Sequence, residues 1–366
     1  MEWDKRMFSR ALPLLSVLLA VNAAAIAEDL PAVAHPEEKF PEDKTIVWTP
    51  LFQAAWDRMN ADLGGRPIKV EPPNPLMNLL DSFEWNAESI MPKDRWKVWS
   101  GQANKEFLDQ ANNEAAAMLG EAQGPFSPGA VSENPQARLV LALLDRKLTF
   151  TKALHRSASA PLVFKDRSGK ETKVQFFGTR GDGSAAFSES VHVLYKDEAS
   201  QAVRLLADGG ESVVLYMPRH EESFAFASGK VKVWFEDGFR GEYGSANDRS
   251  LHGKDDLRIP YLTLSNQVDF QPLLDGGRTY KEGEPPWVIT RAFQQVDFEM
   301  TEKGAKVRAK VELGGEPFGD PGDPPPMVPR SFIFDKPFFV FLWRDGAQWP
   351  YFGAWLGDAS SMLPPK

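Results

Sequence analysis

The sequence has 366 residues, and its 51 Asp and Glu outnumber its 42 Lys and Arg, which gives a formal net charge of −9 at pH 7. An acidic chain does not attract nucleic acid or anionic membranes by its general charge, so the balance argues against both partners. The absence of cysteine from the sequence excludes disulfides, thiolate catalysis and cysteine-ligated zinc.

The first 27 residues have the pattern of a secretory signal peptide. Lys5, Arg6 and Arg10 supply a positive start, an apolar stretch follows over 11–21, and residues 25–27 have the spacing of a signal-peptidase site. The apolar stretch is too short to cross a hydrocarbon core of about 30 Å as a helix. We therefore expect cleavage after this segment, a secreted or periplasmic location, and no membrane insertion afterwards.

The rest of the chain divides by composition. Residues 28–46 are rich in proline and charge, which is typical of an extended lead-in with little to bury. Beyond them we expect a single domain over 47–366. Its first part, 47–136, is predicted to be mainly helical, and its second part, 137–366, mainly β.

Two helices are predicted in the first part of the domain. One begins near Thr49-Pro50, residue types typical of a helix start, and stops at Gly64-Gly65. The other runs from about Asn104 to Leu119, with apolar residues on one face and Gly120 as its terminator.

From residue 137 onward, short runs of β-branched and aromatic residues alternate with turn residues, which predicts a mostly antiparallel sheet system. The predicted strands lie at 138–144, 161–165, 172–177, 190–196, 202–206, 212–217, 259–264, 290–300, 305–313, 332–343 and 351–356. Helices early in the chain and strands late in it indicate an α+β fold.

Residues 314–330, GGEPFGDPGDPPPMVPR, interrupt this pattern. Their six prolines and four glycines support neither a strand ladder nor a helix, so we expect an exposed loop between two strands. The preceding residues, 305–313, alternate between small apolar and charged side chains, which is typical of a strand with one buried face. A long loop between rigid elements is often functional, and 305–330 is therefore the candidate functional segment.

Three parts of the chain resemble the serpin family. Residues 332–342, FIFDKPFFVFL, are similar to the family's C-terminal signature, with matching positions at Phe334, Asp335, Lys336, Pro337 and Phe338. Residues 292–304, AFQQVDFEMTEKG, resemble the strand that leads to the serpin hinge. A weaker likeness covers 137–178, 190–218 and 259–274 in the family's order. The resemblance implies an α+β, serpin-like fold of several mostly antiparallel sheets, with a reduced set of N-terminal helices and an exposed reactive loop.

The resemblance also implies a function. In serpins a protease cleaves the exposed loop and is trapped when the freed loop inserts as a strand into the central sheet. The hinge positions implied here are Glu302, Gly304, Ala305, Val307, Ala309 and Val311. Counting from the hinge glycine places the scissile bond at Phe318-Gly319, which suits a chymotrypsin-like serine protease. Counting back from the signature ends near Met327, and Arg330 is a third candidate.

Other features keep an alternative open. Thr149, Leu141 and Gln294 stand where the family often has the tryptophan, asparagine and histidine that control sheet opening. A non-inhibitory, serpin-like binding or scaffold protein of the cell envelope is therefore the second hypothesis. His220 lacks the second histidine that a zinc-protease helix requires, and the Gly-x-Ser-x-Gly elbow is missing from the sequence. We predict a monomer without enzymatic activity, cofactor or metal.

Overall fold

The computed structural model of the protein describes residues 32–157, 160–179, 181–219, 223–236, 249–274, 276–306 and 329–365. Within these ranges the chain forms five α-helices and twenty strands, which are arranged in six sheets. In this described part of the chain, none of the helices combines the length and the apolar character needed to cross a lipid bilayer.

Four of the five helices in the described ranges precede residue 120. The helices are α1 (Leu51–Asp62), α2 (Pro75–Ser82), α3 (Ala87–Ile90), α4 (Lys105–Leu119) and α5 (Phe224–Glu236). The two predicted helices are confirmed as α1 and α4. The side chain of Asn104 caps α4 by accepting a hydrogen bond from the backbone N–H of Phe107, and Gly120 ends the helix with a φ of 69°. Three helices, α2, α3 and α5, were not predicted. Of these, α5 is apolar on several sides and contains Gly229, so its sequence shows little amphipathic period.

Most predicted strands are confirmed, with three interruptions. The strands are β1 (Thr45–Trp48), β2 (Lys69–Glu71), β3 (Trp96–Gln102), β4 (Arg138–Leu144), β5 (His155–Arg156), β6 (Leu162–Lys165), β7 (Glu171–Val174), β8 (Phe176–Thr179), β9 (Val191–Lys196), β10 (Gln201–Ala207), β11 (Glu211–Met217), β12 (Asp256–Pro260), β13 (Leu262–Asp269), β14 (Gly277–Thr279), β15 (Trp287–Val288), β16 (Phe293–Thr301), β17 (Gly304–Lys306), β18 (Ser331–Ile333), β19 (Phe338–Arg344) and β20 (Phe352–Leu356). The chain leaves the strand conformation at Gln175, at Tyr261 and before Pro337, whose missing N–H cannot join a ladder.

The largest sheet has six strands in the order β1-β20-β19-β11-β10-β9, and every neighbouring pair is antiparallel. All residues of β11 and β20 are buried. Trp48, Trp343 and Trp355 are among the largest fully buried side chains and lie in the main hydrophobic core.

Two smaller sheets position the candidate site. One contains β13, β16 and β17 in that order, and β13 pairs with β16 from Leu262 opposite Met300 to Asp269 opposite Phe293. The other is the antiparallel pair β3-β4. One face of this pair packs on α4 through a cluster that includes Trp99, Ala111 and Leu141. The remaining sheets are β18-β12-β8-β5, β15-β14-β2 and β6-β7.

The lead-in differs from its prediction where the structure describes it. Val33, Ala34 and His35 are buried, and the backbone N–H of Val33 donates to the carbonyl of Val47 at 3.0 Å. Composition predicted little burial here, but the segment adds to the edge of β1 and packs on the domain. The proposed signal peptide lies outside the described residues, and the single-domain prediction stays a prediction.

Candidate functional site: the hinge after β16

The hinge predicted from the sequence is a tight hairpin between β16 and β17. Thr301 lies opposite Gly304, Met300 opposite Ala305, and Glu299 opposite Lys306. Gly304 has a φ of 148°, and a Cβ atom at this position would lie 2.1 Å from the carbonyl oxygen of Leu148. The turn therefore requires glycine for both its backbone angle and its close approach to the neighbouring chain.

The opposite side of β17 faces the segment that follows β4. The backbone N–H of Leu148 donates to the carbonyl of Ala305 at 2.8 Å, and the backbone N–H of Phe150 donates to the carbonyl of Lys303 at 3.0 Å. The two bonds are two residues apart on each chain and run in the antiparallel sense. Ala305, which is buried, thus lies between β16 and the continuation of β4.

Among the described residues, each strand that neighbours Ala305 has an edge without a strand partner. Within the described ranges, residues 293–298 of β16 pair with β13 but with no strand on their other side. In the part of the chain that the structure describes, β4 pairs only with β3. Its residues 139–144 are all apolar and only half-buried, as expected for a strand with one open edge. Ala305 pairs with the end of β16 on one side and bonds to the chain that follows β4 on the other.

The faces of β16 have different chemistry. Gln294, Phe298 and Met300 point inward and are buried, whereas Gln295 and Asp297 are exposed on the other face. A strand added beside β16 would therefore need apolar residues at every second position. The alternation of residues 305–313 has that period.

The side chain of Glu302 joins the hinge to two neighbouring residues through hydrogen bonds. One carboxylate oxygen accepts a hydrogen bond from Arg156 Nε at 2.7 Å, and the other accepts from the hydroxyl of Tyr261 at 2.9 Å. Burial of Glu302 opposes its ionisation, but these hydrogen bonds outweigh burial and hold the pKa of the carboxyl below its ordinary value. Burial, together with the carboxylate of Glu302, raises the pKa of Tyr261 to about 12. The hinge therefore contains an ionised carboxylate at neutral pH.

Comparison with solved structures identifies the architecture. Human glycosylated kallistatin aligns over 88% of this chain and 93% of its own, with a TM-score of 0.52 and 12% identity. The chain has the serpin fold. The predicted resemblance is thereby confirmed at the level of the fold. The thermophilic serpin Tengpin aligns over 90% of this chain and 97% of its own (TM-score 0.48, 10% identity). Serpin48 of the insect Tenebrio molitor aligns over 86% and 92% (TM-score 0.47, 12% identity). No protein-family model matches the sequence, and neither does any curated protein.

The far end of the loop returns to the serpin fold at Arg330. Its guanidinium contacts the carboxylate of Asp255 through Nε at 3.1 Å and Nη2 at 2.7 Å, and its backbone N–H donates to the same carboxylate at 2.9 Å. Arg330 is 8% exposed. A protease needs an accessible, extended substrate segment, so this placement does not suit a scissile-bond residue. The structure corrects the inclusion of Arg330 among those candidates and makes it an anchor of the loop.

The signature residues serve the core of the serpin fold. Phe334 and Phe338 are fully buried, with their ring centroids 5.3 Å apart. The carbonyl of Asp335 accepts a hydrogen bond from the backbone of Lys165, and burial raises the pKa of its carboxyl. Pro337 is buried, and Lys336 is exposed. These positions join β18 to the central strand β19.

The sequence located some of the hinge and missed its partners. Glu302, Gly304 and Ala305 lie in and next to the turn between β16 and β17. Val307, Ala309, Val311, Phe318, Gly319 and Met327 lie outside the described residues. Arg156 and Tyr261 were missed because they are 146 and 41 residues from Glu302. An alternating strand carries no local signal for such distant partners.

Proposed function

We propose that this protein binds a serine protease through residues 305–330 and traps it by inserting residues 305–313 between β16 and β4. The observation that supports the proposal most directly is the position of Ala305. It already pairs with β16 on one side and with the chain after β4 on the other. The strand edges beyond it have no partner among the described residues.

The β16 side of the insertion has a definite register. β16 and β17 are antiparallel, so the two residue numbers of each facing pair add to the same total. The observed pairs are Thr301–Gly304, Met300–Ala305 and Glu299–Lys306. Continuing that sum puts Val307 opposite Phe298, Ala309 opposite Val296, and Val311 opposite Gln294. All three apolar residues of the loop would then share the inward face of the sheet.

The β4 side gives a compatible register. Leu148 bonds to Ala305, and Phe150 bonds to Lys303. The two residue numbers of each bonded pair again add to the same total, as in an antiparallel ladder. Continuing it puts Ala309 opposite Leu144 and Val311 opposite Ala142. Both partners belong to the half-buried apolar strand β4. Insertion would bury this exposed apolar surface, which is favourable at about 25 cal/mol per Å².

The charged residues of the loop fit the other face. In the same register Arg308 lies opposite Asp297, and Lys310 lies opposite Gln295, both of which are exposed. Opposite charges in directly facing positions stabilise a sheet by about 0.2–1 kcal/mol. Arg308 and Lys310 would therefore lie beside exposed polar residues of β16.

The protease step would take place further along the loop. We propose Phe318-Gly319 as the scissile bond, which favours a chymotrypsin-like protease, with Met327 as the alternative site. The serine oxygen attacks the carbonyl carbon of Phe318, the bond to the Gly319 nitrogen breaks, and the serine proton passes to that amine. Insertion of residues 305–313 would then displace the acyl-enzyme before water can hydrolyse its ester.

Incubation with proteases tests the proposal. Chymotrypsin, elastase and trypsin are each added to residues 28–366, and the products are separated on a denaturing gel. We expect an adduct with chymotrypsin whose mass is that of the protease plus the fragment ending at Phe318. Simple cleavage by all three proteases, without an adduct, would reject the trapping function. Residues 28–366 are used because we propose that the protein is exported and cleaved after its signal peptide.

One observation favours the non-inhibitory alternative. Gln294 is buried, and neither its amide nitrogen nor its amide oxygen has a hydrogen-bond partner among the described residues. It stands where the family often has a histidine that helps to control sheet opening. The alternative that we propose is that this protein binds a partner or ligand without inserting its loop. In that case, cleavage of the loop leaves the melting temperature unchanged.

A further inference from the structure

Residues 358–364, which we call the strap, connect the six-stranded sheet to the sheet that holds the hinge. The strap begins beside β1, where the carboxylate of Asp358 accepts hydrogen bonds from Thr45 Oγ1 at 2.8 Å and from the backbone N–H of Ser360 at 3.1 Å. One residue, Gly357, separates it from the end of β20. Its first residues are thus fixed to the core of the molecule.

The far end of the strap pairs with the start of β13. Met362 lies opposite Leu262 in an antiparallel bridge. The backbone N–H of Thr263 donates to the carbonyl of Ser361 at 2.8 Å, and that of Leu363 donates to the carbonyl of Tyr261 at 3.2 Å. Met362 is buried. The strap therefore adds an isolated β-bridge to the edge of β13 that is opposite to β16.

A third segment closes the junction around Tyr261. The backbone N–H of Gln175 donates to the carbonyl of Leu363 at 2.9 Å, and Gln175 Nε2 donates to the carbonyl of Pro364 at 2.6 Å. The backbone N–H of Tyr261 donates to the carbonyl of Gln175 at 3.1 Å. Both backbone polar groups of Tyr261 are thus held, one by Leu363 and one by Gln175.

The side chain of Tyr261 extends from this junction to the hinge. Its hydroxyl donates to Glu302 at 2.9 Å, and its ring packs on that of the buried Phe177 with centroids 5.0 Å apart. Glu302 lies two residues before Gly304, and its carbonyl accepts a hydrogen bond from the backbone N–H of Leu154. A continuous series of contacts therefore runs from the strap to the hinge turn.

We propose that the strap is a positioning element for the hinge and that it acts through Tyr261. Leu363 and Gln175 fix the backbone of Tyr261, and Tyr261 fixes the carboxylate that holds the turn before β17. Loosening the strap frees Tyr261, weakens the contact with Glu302 and increases the opening of the hinge. The inference deepens the proposed insertion mechanism, but its test measures the hinge of the intact protein and involves no protease.

Hydrogen exchange in two variants of one residue tests this role. Leu363→Pro removes the N–H that donates to Tyr261, whereas Leu363→Ala shortens an exposed side chain and keeps the N–H. The residue before a proline favours extended backbone, which suits Met362 in its bridge. The readout is the exchange rate of the amides of Leu148, Phe150 and Leu154, which donate to the hinge.

We expect exchange of these three amides to be about fivefold faster or more in Leu363→Pro, and to change less than twofold in Leu363→Ala. Amides of β19 are expected to exchange as in the wild type, which excludes general unfolding. Gln175→Ala, which removes one hydrogen bond to the strap, serves if Leu363→Pro does not fold, and it should change the exchange in the same direction. Unchanged hinge exchange in the variant that folds would overturn the proposal.

The same substitution made in the Tyr261→Phe variant tests whether the strap acts through Tyr261. In Tyr261→Phe the hydroxyl contact with Glu302 is absent, so adding Leu363→Pro should change hinge exchange by less than twofold. An equally large effect of Leu363→Pro in both backgrounds contradicts action through Tyr261. Because the hinge is measured without a protease, failure to trap chymotrypsin and failure of the strap are separate results.

Discussion

Arg330 and Asp255 form an ion pair inside the protein, with Arg330 Nη2 2.7 Å from the carboxylate and both side chains less than a tenth exposed. The two residues are 75 positions apart in the chain. Asp255 precedes β12 and Arg330 precedes β18, and these two strands are parallel neighbours. The pair therefore fixes the end of the loop to the sheet on which β18 begins.

Removing one partner of this pair should cost much stability. Arg330→Ala leaves the carboxylate of Asp255 buried without its charge partner, and we expect the free energy of unfolding to fall by about 3–5 kcal/mol. Chemical denaturation measures the change. Lys281→Ala is the matched control because its ion pair with Glu284 is exposed, and it should cost less than about 1 kcal/mol. Equal effects of the two substitutions would contradict the assignment of Arg330 as an anchor.

The hinge contact of Glu302 predicts a pH dependence. The folded state holds the pKa of this carboxyl below its ordinary value, so its stabilisation is complete above that value and is lost as the pH falls through the folded pKa. Glu302→Gln should therefore be less stable than the wild type by about 1 kcal/mol near pH 7. This difference in the free energy of unfolding should become smaller below about pH 4. Melting curves from pH 7 to pH 3 measure it, and a constant difference over that range would count against an ionised hinge.

His35 predicts a second acid-sensitive step in a different window. Burial lowers the pKa of this imidazole to about 4 from an ordinary value of 6.5, so the unfolded chain takes up a proton first as the pH falls. The free energy of unfolding should decrease between pH 6.5 and pH 4 by roughly 2–3 kcal/mol.

His35→Asn tests this assignment. The amide oxygen of asparagine can replace Nδ1, which accepts a hydrogen bond from the backbone N–H of Glu37, but asparagine does not titrate. The variant should therefore lose most of the decrease between pH 6.5 and pH 4. If the free energy of unfolding, measured by denaturation, decreases equally with pH in the variant and the wild type, burial of a neutral His35 is not the cause.

The proposed register predicts opposite results for two neighbouring loop positions. Ala309→Glu places a charge on the inward face, between Val296 and Leu144, where an unpaired ion is strongly disfavoured. Lys310→Glu changes charge on the outward face. We expect Ala309→Glu to abolish the rise in melting temperature after loop cleavage and Lys310→Glu to retain most of it. Equal behaviour of the two variants would show that the register is incorrect.

The sequence predicted those parts of the fold whose signals are local. The cap at Asn104 and the stop at Gly120 define α4, and the alternation of β16 continues to the glycine that its turn requires. The half-buried β4 was also recognised, because short apolar runs between turns predict strands.

The remaining features depend on distant partners. α5 has an apolar sequence on several sides, so its period is weak, and the burial of Val33 depends on the edge of β1. Arg330 was assigned to the exposed loop because the nearby residues are proline and glycine, and only Asp255 reveals its buried state. The contacts of Tyr261 with the hinge and the strap likewise cannot be predicted from the residues next to it in the sequence.

The melting temperature before and after cleavage of the loop tests the central claim most directly. Insertion adds a strand whose apolar side chains each contribute about 1.5–3 kcal/mol when buried. We therefore expect the cleaved protein to melt more than about 10 °C above the intact protein. Cleavage within 314–328 that leaves the melting temperature the same or lower would contradict the proposal that residues 305–313 enter the space between β16 and β4.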